Sequence, residues 1–259
     1  MAQRWVDALE KEKWHDEIRN AADYARYTQM PRWWKRVYDL ARLPSSGKIL
    51  EVGCGSGAQL IPLAARGFQT TGIDVSLDAL ERFQKILAGL NKFRSEPLPV
   101  ALQNGDFAQM QPVPEFAIVF SFGVIEHFLN HRERLEFLRQ KFRWTAPGGG
   151  CISCVPNGQH PLRQKMREEN LGGYNIPEID YSIATLNQDM LEAGFVNVRV
   201  VPLDLFAYRL VLTPRQTLTW WLYRTLNLFF KLVPHRLLPI NFRERLAYIL
   251  VSVAEKPIQ

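Results

Sequence analysis

Cysteine is scarce in this sequence: three residues, Cys54, Cys151 and Cys154, in a chain of 259. An odd, low count offers no disulfide framework and implies a reduced, intracellular, cytoplasmic setting. Cys151 and Cys154 make a lone CxxC, but a structural zinc needs four ligands and no second pair exists, so the pair reads as part of a strand. No uncharged apolar run reaches the roughly 18 residues of a spanning helix. The opening MAQRWVDALEKEKWHDEIRN mixes acids and bases and does not read as a signal peptide. Internal repeats and low-complexity stretches are also missing. What is present, 47% hydrophobic and 22% charged residues, excludes a disordered chain. The length suits one large α/β domain with an embellishment, or two small domains.

The formal charge of +6 is uneven. Residues 1–204 balance. The excess lies in the last 55 residues, where Arg209, Arg215, Arg224, Lys231, Arg236, Arg243, Arg245 and Lys256 face only Glu244 and Glu255. Such asymmetry argues against a uniformly basic nucleic-acid binder and turns attention to the tail.

Along the chain, residues 3–43 read as helices, with Trp5, Leu9, Trp14 and Ile18, then Trp33, Val37, Leu40 and Ala41, at helical spacing. From Lys48 the pattern alternates. Strands are expected at 49–52, 68–75, 100–102, 116–122, 151–155, 196–203 and 247–254. Helices are expected at 58–66, from a Ser76 cap through Leu90, at 132–144 and at 183–193, with a turn at Pro147-Gly-Gly-Gly150. This alternation predicts a parallel sheet with helices on both faces.

Glu51-Val-Gly53-Cys-Gly55-Ser-Gly57 follows a strand and opens a helix, so a ligand can approach its backbone N–H groups closely. Asp74 ends the next strand, 21 residues after Gly53, where a carboxylate can accept hydrogen bonds from ribose hydroxyls. A nicotinamide dinucleotide site shares that spacing. Three features favour a different ligand. Glu51 would repel a pyrophosphate but welcome a cationic amino-acid moiety. A second acidic turn, Gly105-Asp106-Phe107, closes the third strand, where a carboxylate can take an adenine amino group. A helical cap precedes the motif.

Taken with Arg66-Gly-Phe-Gln-Thr-Thr-Gly-Ile-Asp74-Val-Ser76, Asn104-Gly-Asp106, Gly123-Val-Ile-Glu-His127 and Pro147-Gly-Gly149, the glycine loop resembles the class I S-adenosylmethionine-dependent methyltransferases, in the small-molecule, type 11 or ubiquinone-biosynthesis-like branch. The resemblance implies an α/β, Rossmann-like, seven-stranded sheet whose antiparallel last strand enters between strands five and six. It divides the chain into a helical cap (1–44), a core (45–204 with 246–259) and an aromatic, basic insertion (205–245). It places the methionine part of S-adenosylmethionine on Glu51, Gly53, Gly55 and Gly57, the ribose on Asp74 beside Val75, and the adenine on Asp106 and Phe107. Ser121 and Phe122 would touch the cofactor through main-chain groups.

Methyl transfer from a sulfonium needs alignment and exclusion of water, with a base only where the acceptor holds its proton tightly. Glu126 and His127 follow the fourth strand at the carboxyl edge of the sheet, and His127 is the expected base, the other reading being a cap or a packing role. His160 is a second candidate, after Val155-Pro-Asn157. Some similar enzymes bind a divalent metal with an extra Glu three residues before this Glu-His pair. That position is Gly123 here, so no metal is expected.

Tyr27, Asn157, His160 and Trp220 are candidate acceptor contacts. The N-terminal aromatics Trp14, Tyr24, Tyr27 and Trp33 are candidates for a lid or for plain packing. Both ends of the insertion should lie at the active-site edge. Its centre, 218–233, is apolar nearly all round, with Thr217, Arg224, Asn227 and Lys231 as a polar strip. Lid, dimer interface, membrane surface contact through 215–233 and nucleic-acid contact all fit such a helix. The expectation from these readings is methylation, at oxygen, of a small or lipid-like acceptor, with nucleic acid disfavoured. The alternatives are an RNA or protein methyltransferase, or a non-catalytic cofactor-binding scaffold.

Overall fold

The structure is a computed structural model that describes residues 18–30, 34, 37, 44, 46–168, 176–205, 213–233 and 237–258. The helix expected around Trp5 and Trp14, and the lid residues Trp14 and Trp33, lie outside the described residues.

In chain order the elements are α1 (Ala21–Thr28), β1 (Lys48–Val52), α2 (Leu60–Ala64), β2 (Gln69–Asp74), α3 (Leu77–Asn91), β3 (Val100–Asn104), β4 (Phe116–Phe122), α4 (His131–Trp144), β5 (Thr145–Pro156), α5 (Arg163–Glu168), α6 (Ile183–Glu192), β6 (Val196–Leu205), α7 (Leu218–Leu232), α8 (Ile240–Leu246) and β7 (Ala247–Glu255). Short 3-10 turns at Phe107–Gln109 and Ile125–His127 follow β3 and β4. The expected strands are all present. The Pro147–Gly150 turn is not: those residues belong to the irregular start of β5, whose pairing with β4 slips between Phe116 and Ile118.

The seven strands run in the order β3-β2-β1-β4-β5-β7-β6. β1 to β5 are parallel, and β7 is antiparallel to both β5 and β6. Alternation along each strand feeds two cores. Ile49, Ile118, Phe120 and Ile152 face one core with Trp34, Leu60, Phe83 and Leu90. Leu50, Val119, Cys151 and Leu250 face the other with Phe137, Trp144, Tyr181 and Met190. Cys151 and Cys154 are both buried thiols, but they point to opposite faces of β5 and serve different cores.

Local signals set the helix ends. The Ser76 hydroxyl accepts the Ala79 N–H at the start of α3, and Asn130 and Ser182 cap α4 and α6 in the same way. Thr217 caps α7, whose buried Asn227 donates to the carbonyl of Leu205, tying the insertion to the end of β6. Strand order reverses between β1 and β4, and their carboxyl ends open the crevice where ligands bind in such sheets.

Candidate functional site

The turn after β1 is built for a ligand. Gly53, Gly55 and Gly57 have φ of +74°, +50° and +81°, the left-handed region that side chains disfavour. A Cβ on Gly53 would lie 2.6 Å from Val124 Cγ2, and one on Gly57 would lie 2.1 Å from the Phe83 ring. At Gly55 a Cβ would meet nothing within 4 Å. The loop is thus packed from behind at its two ends and open at its middle.

Asp74 holds this shape. Its carboxylate accepts the Gly55 N–H at 2.8 Å and the Ser76 N–H at 2.9 Å. The Asn104 amide donates to the carbonyls of Asp74 and Val75, joining β3 to β2 beside the crevice. Sequence reasoning gave Asn104 no role, because an amide that braces two strand ends carries no periodic signal. Val75 is half exposed at this edge. Asp106 accepts the Ala108 N–H and starts the 3-10 turn while its carboxylate stays at the surface.

Glu51 is 2% exposed, and burial, reinforced by Asp74, pushes its carboxyl well above the usual range. Its Oε2 accepts no hydrogen bond among the described residues. A buried carboxylate oxygen without a donor is costly, and a cationic ammonium would complete it. That orphaned oxygen, with the open middle of the glycine loop and the Asp74 carboxylate beyond it, fits the amino-acid and ribose parts of S-adenosylmethionine.

At two expected cofactor contacts, Phe107 and Ser121, the side chain is turned into the protein, which leaves the main chain as the group that can meet a ligand. The Phe107 ring does not face the crevice; it is buried against Phe137 and Trp144, with ring centroids 5.7 and 5.6 Å away. Only its main chain lies at the edge, and its carbonyl accepts from Gln140 of α4. Ser121 is buried, its hydroxyl turned to Lys141 Nζ at 3.0 Å. Lys141 itself is fully buried, with Ser153 Oγ and the Ile152 carbonyl as further acceptors, and burial lowers its pKa. Phe122 ends β4, and the Gly123 N–H after it bonds the Cys154 carbonyl.

Past β4, Glu126 and His127 are both buried. Burial raises the Glu126 carboxyl to about 8. Burial lowers the His127 imidazole, opposed by a bond from Nδ1 to the Pro177 carbonyl at 3.1 Å. Its Nε2 lies 4.0 Å from Glu126 Oε1. The structure also brings in Glu178, which lies with Glu126 and His127 so that one ligand atom of each falls within 4.8 Å of the others. Glu178 sits on an irregular loop, so no spacing rule could have found it.

The expected acceptor contacts scatter. Asn157 is a structural pin: it is fully buried, donates to the carbonyls of Glu244 and Ala247 and accepts the Gln159 N–H. Its polar atoms are committed to joining β5 to the start of β7, which removes it from the acceptor site. His160 is buried, and its Nδ1 accepts the Leu162 N–H, which fixes the ring within its own loop. Tyr27 of α1 packs at the edge of the first core under the Arg26 guanidinium. Trp220 stands on α7, edge-on to Trp221 at 5.0 Å, with Arg224 over both rings at 5.2 and 5.0 Å. At 15 residues α7 does not span a bilayer, and no helix among the described residues is long and apolar enough to cross a membrane.

A family profile described as "Methyltransferase domain" matches residues 24–200. Curated relatives include the tRNA U34 carboxymethyltransferases of Hydrogenovibrio crunogenus, 29% identical over 178 residues, and Haemophilus influenzae, 31% identical over 177 residues. These matches take in 66% and 65% of this chain and 51% of each relative, so the chain spans about half the length of the curated relatives it matches. Among solved structures, phosphoethanolamine N-methyltransferase 2 of Haemonchus contortus in complex with S-adenosyl-L-methionine gives a TM-score of 0.58 at 16% identity, over 97% of this chain and 59% of that one. An S-adenosylmethionine-dependent methyltransferase of Methanosarcina mazei gives 0.58 at 16%, over 86% and 98%.

The relatives' named substrate overturns the expected acceptor. A small or lipid-like molecule methylated at oxygen, with nucleic acid disfavoured, does not agree with relatives that act on tRNA. The relatives lend no support to the membrane contact expected of 215–233. Net charge misled because a balanced total over residues 1–204 has no bearing on the last 55, where the excess cations lie. The sheet order, the ligand-shaped turn after β1 and the profile over 24–200 converge: the chain belongs to the class I S-adenosylmethionine-dependent methyltransferase family.

Proposed function

We propose that this chain is an S-adenosylmethionine-dependent transferase that alkylates a nucleoside of tRNA in the cytoplasm. The observation that carries the reading is its identity of about 30% to tRNA-modifying enzymes over 177–178 residues, 65–66% of this chain. The insertion supports it: α7 presents an exposed Trp221 beside an Arg224 guanidinium, and Arg215 and Arg245 are exposed nearby in sequence. Aromatic faces with cations suit stacked bases and phosphates.

The cofactor supplies an activated alkyl group on a sulfonium. Glu51 would accept its ammonium group, the open middle of the glycine loop would admit its amino-acid part, and Asp74 would take the ribose hydroxyls while holding the loop. Asp106 would receive the adenine edge. Such a cradle aligns the donor with the acceptor and leaves little chemistry to the protein. Glu126 and His127 are the proposed catalytic pair. With Nδ1 engaged by the Pro177 carbonyl, Nε2 carries the lone pair, able to take a proton or to hold a Lewis acid.

Incubation with a labelled methyl donor and a whole-cell extract, then separation of tRNA, protein and organic phases, tests the reading. Label that enters tRNA and becomes soluble on ribonuclease digestion is expected. Label confined to the organic phase, or to protein, overturns it.

A further inference from the structure

Glu178 is held against the Glu126-His127 pair by bonds on both sides of it. The carbonyl of Pro177, one residue before, meets His127 Nδ1 at 3.1 Å. The N–H of Ile179, one residue after, donates to the Glu126 carbonyl at 2.8 Å. Gly158 N–H then bonds the Tyr181 carbonyl at 2.9 Å, fixing the rest of the strap. Glu178 therefore has a set register, although its loop is irregular. A bond from one imidazole nitrogen to a backbone carbonyl is also the usual way a metal-binding histidine is oriented, with the other nitrogen left as ligand.

A second observation points to an occupant. Glu126 is 1% exposed, and its Oε2 accepts no hydrogen bond among the described residues. A buried carboxylate oxygen that lacks a donor calls for a proton or a cation. Arg163 of α5 pairs with both Glu178 and Asp180 of the strap, tying it to that helix as well.

We propose that Glu126, His127 and Glu178 form a binding site for a divalent first-row transition cation at the carboxyl end of β4. One imidazole nitrogen with two carboxylates matches Mn²⁺ or Zn²⁺ better than Ca²⁺, which prefers an all-oxygen shell. Three protein ligands leave open positions, as a cation that meets a substrate needs. The site adjoins the cofactor cradle, since Val124 packs on Gly53. A cation there would hold and polarise an acceptor oxygen next to the donor. The absence of an acidic residue at position 123 then does not exclude a metal, because the third ligand comes from the far side.

The test needs neither cofactor nor RNA, so its result is independent of the tRNA reading. The full chain is stripped with chelator and dialysed against micromolar Mn²⁺, with Zn²⁺ as competitor and Ca²⁺ as control, and bound metal is counted by mass spectrometry. The expected result is about one Mn²⁺ per chain, displaced by Zn²⁺ and not by Ca²⁺, with affinity lowered about tenfold or more in Glu178→Gln and in Glu126→Gln. His131→Ala should bind as the parent does. Uptake below about 0.1 equivalent, undiminished binding in Glu178→Gln, or loss in His131→Ala alone would overturn the site. Melting curves of the metal-free variants separate lost ligands from lost fold. Should Glu126→Gln fail to fold, Glu178→Gln decides, since its change lies on the strap and outside both cores.

Discussion

The Asp74 carboxylate accepts the Gly55 N–H at 2.8 Å, so one side chain at the end of β2 shapes the turn after β1. Its other oxygen accepts the Ser76 N–H. Removing it costs a brace as well as a ligand contact. Asp74→Ala is expected to weaken binding of S-adenosylhomocysteine by about 10- to 100-fold, in the range of hydrogen bonds to charged groups. Asp106→Ala, which removes a surface cap, should lose less. Titration calorimetry on both variants checks the order, and equal affinities to the parent would refute the placement.

Two glycines of the same turn should fail differently. Gly57→Ala drives a methyl into the Phe83 ring at a φ of +81°, so it should lower the melting temperature by several degrees, as overpacking costs about 1–3 kcal/mol. Gly55→Ala meets no protein atom within 4 Å and should change stability by only about 1 kcal/mol while still obstructing the ligand. Thermal melts paired with cofactor titrations distinguish the two.

Glu126 gives the protein a pH dependence of definite sign. Its carboxyl is raised to about 8 in the folded state, so the native form holds a proton that the unfolded chain releases from about 4.5 upward. The stabilisation is complete below the unfolded value and disappears as pH rises through about 8. In chelator-treated protein, Glu126→Gln should flatten the fall in melting temperature between these values. A parallel fall in both proteins would show that Glu126 is not its source.

Lys141 predicts the opposite slope. Burial among Ser121, Ser153 and the Ile152 carbonyl depresses its pKa, so the unfolded chain binds the extra proton. Its contribution improves stability as pH rises from the depressed value towards the ordinary lysine range. Lys141→Met should remove that rise, read from denaturant midpoints across the alkaline range.

Trp221→Ala and Arg224→Ala should each weaken tRNA binding, the first by about 5- to 100-fold if one base stacks there. The arginine variant should also reduce the steepness of the salt dependence. Cofactor affinity should not change in either. Filter binding across a salt series measures both effects, and unaltered tRNA affinity would remove α7 from the interface.

Periodicity and the glycine loop made the seven strands, Glu51 and Asp74 readable, because local spacing dictates both. Asn104 and Gln140 were not, since each braces a neighbour's backbone across the fold and leaves no repeat in the sequence. Phe107 illustrates the limit of motif transfer: the motif locates its backbone, but the packing of Phe137 and Trp144 decides where its ring goes. Asn157 was placed correctly after β5 and given the wrong work, because a buried amide resembles a binding amide until its partners are known. Glu178 depends entirely on a tertiary strap.

β7 lies between β5 and β6, with Ser153 paired to Ser252 across 99 positions of chain. This orders events during synthesis. β6 leaves the ribosome before β7, yet among the described strands its pairing is with β7 alone, so it must wait unpaired until the segment from Ala247 onward emerges. Such a long-range closure is slow and leaves a sticky edge exposed meanwhile. A nascent chain halted before Ala247 would therefore carry a finished cofactor cradle on β1 and β2 beside an open sheet, and would be the species that chaperones meet.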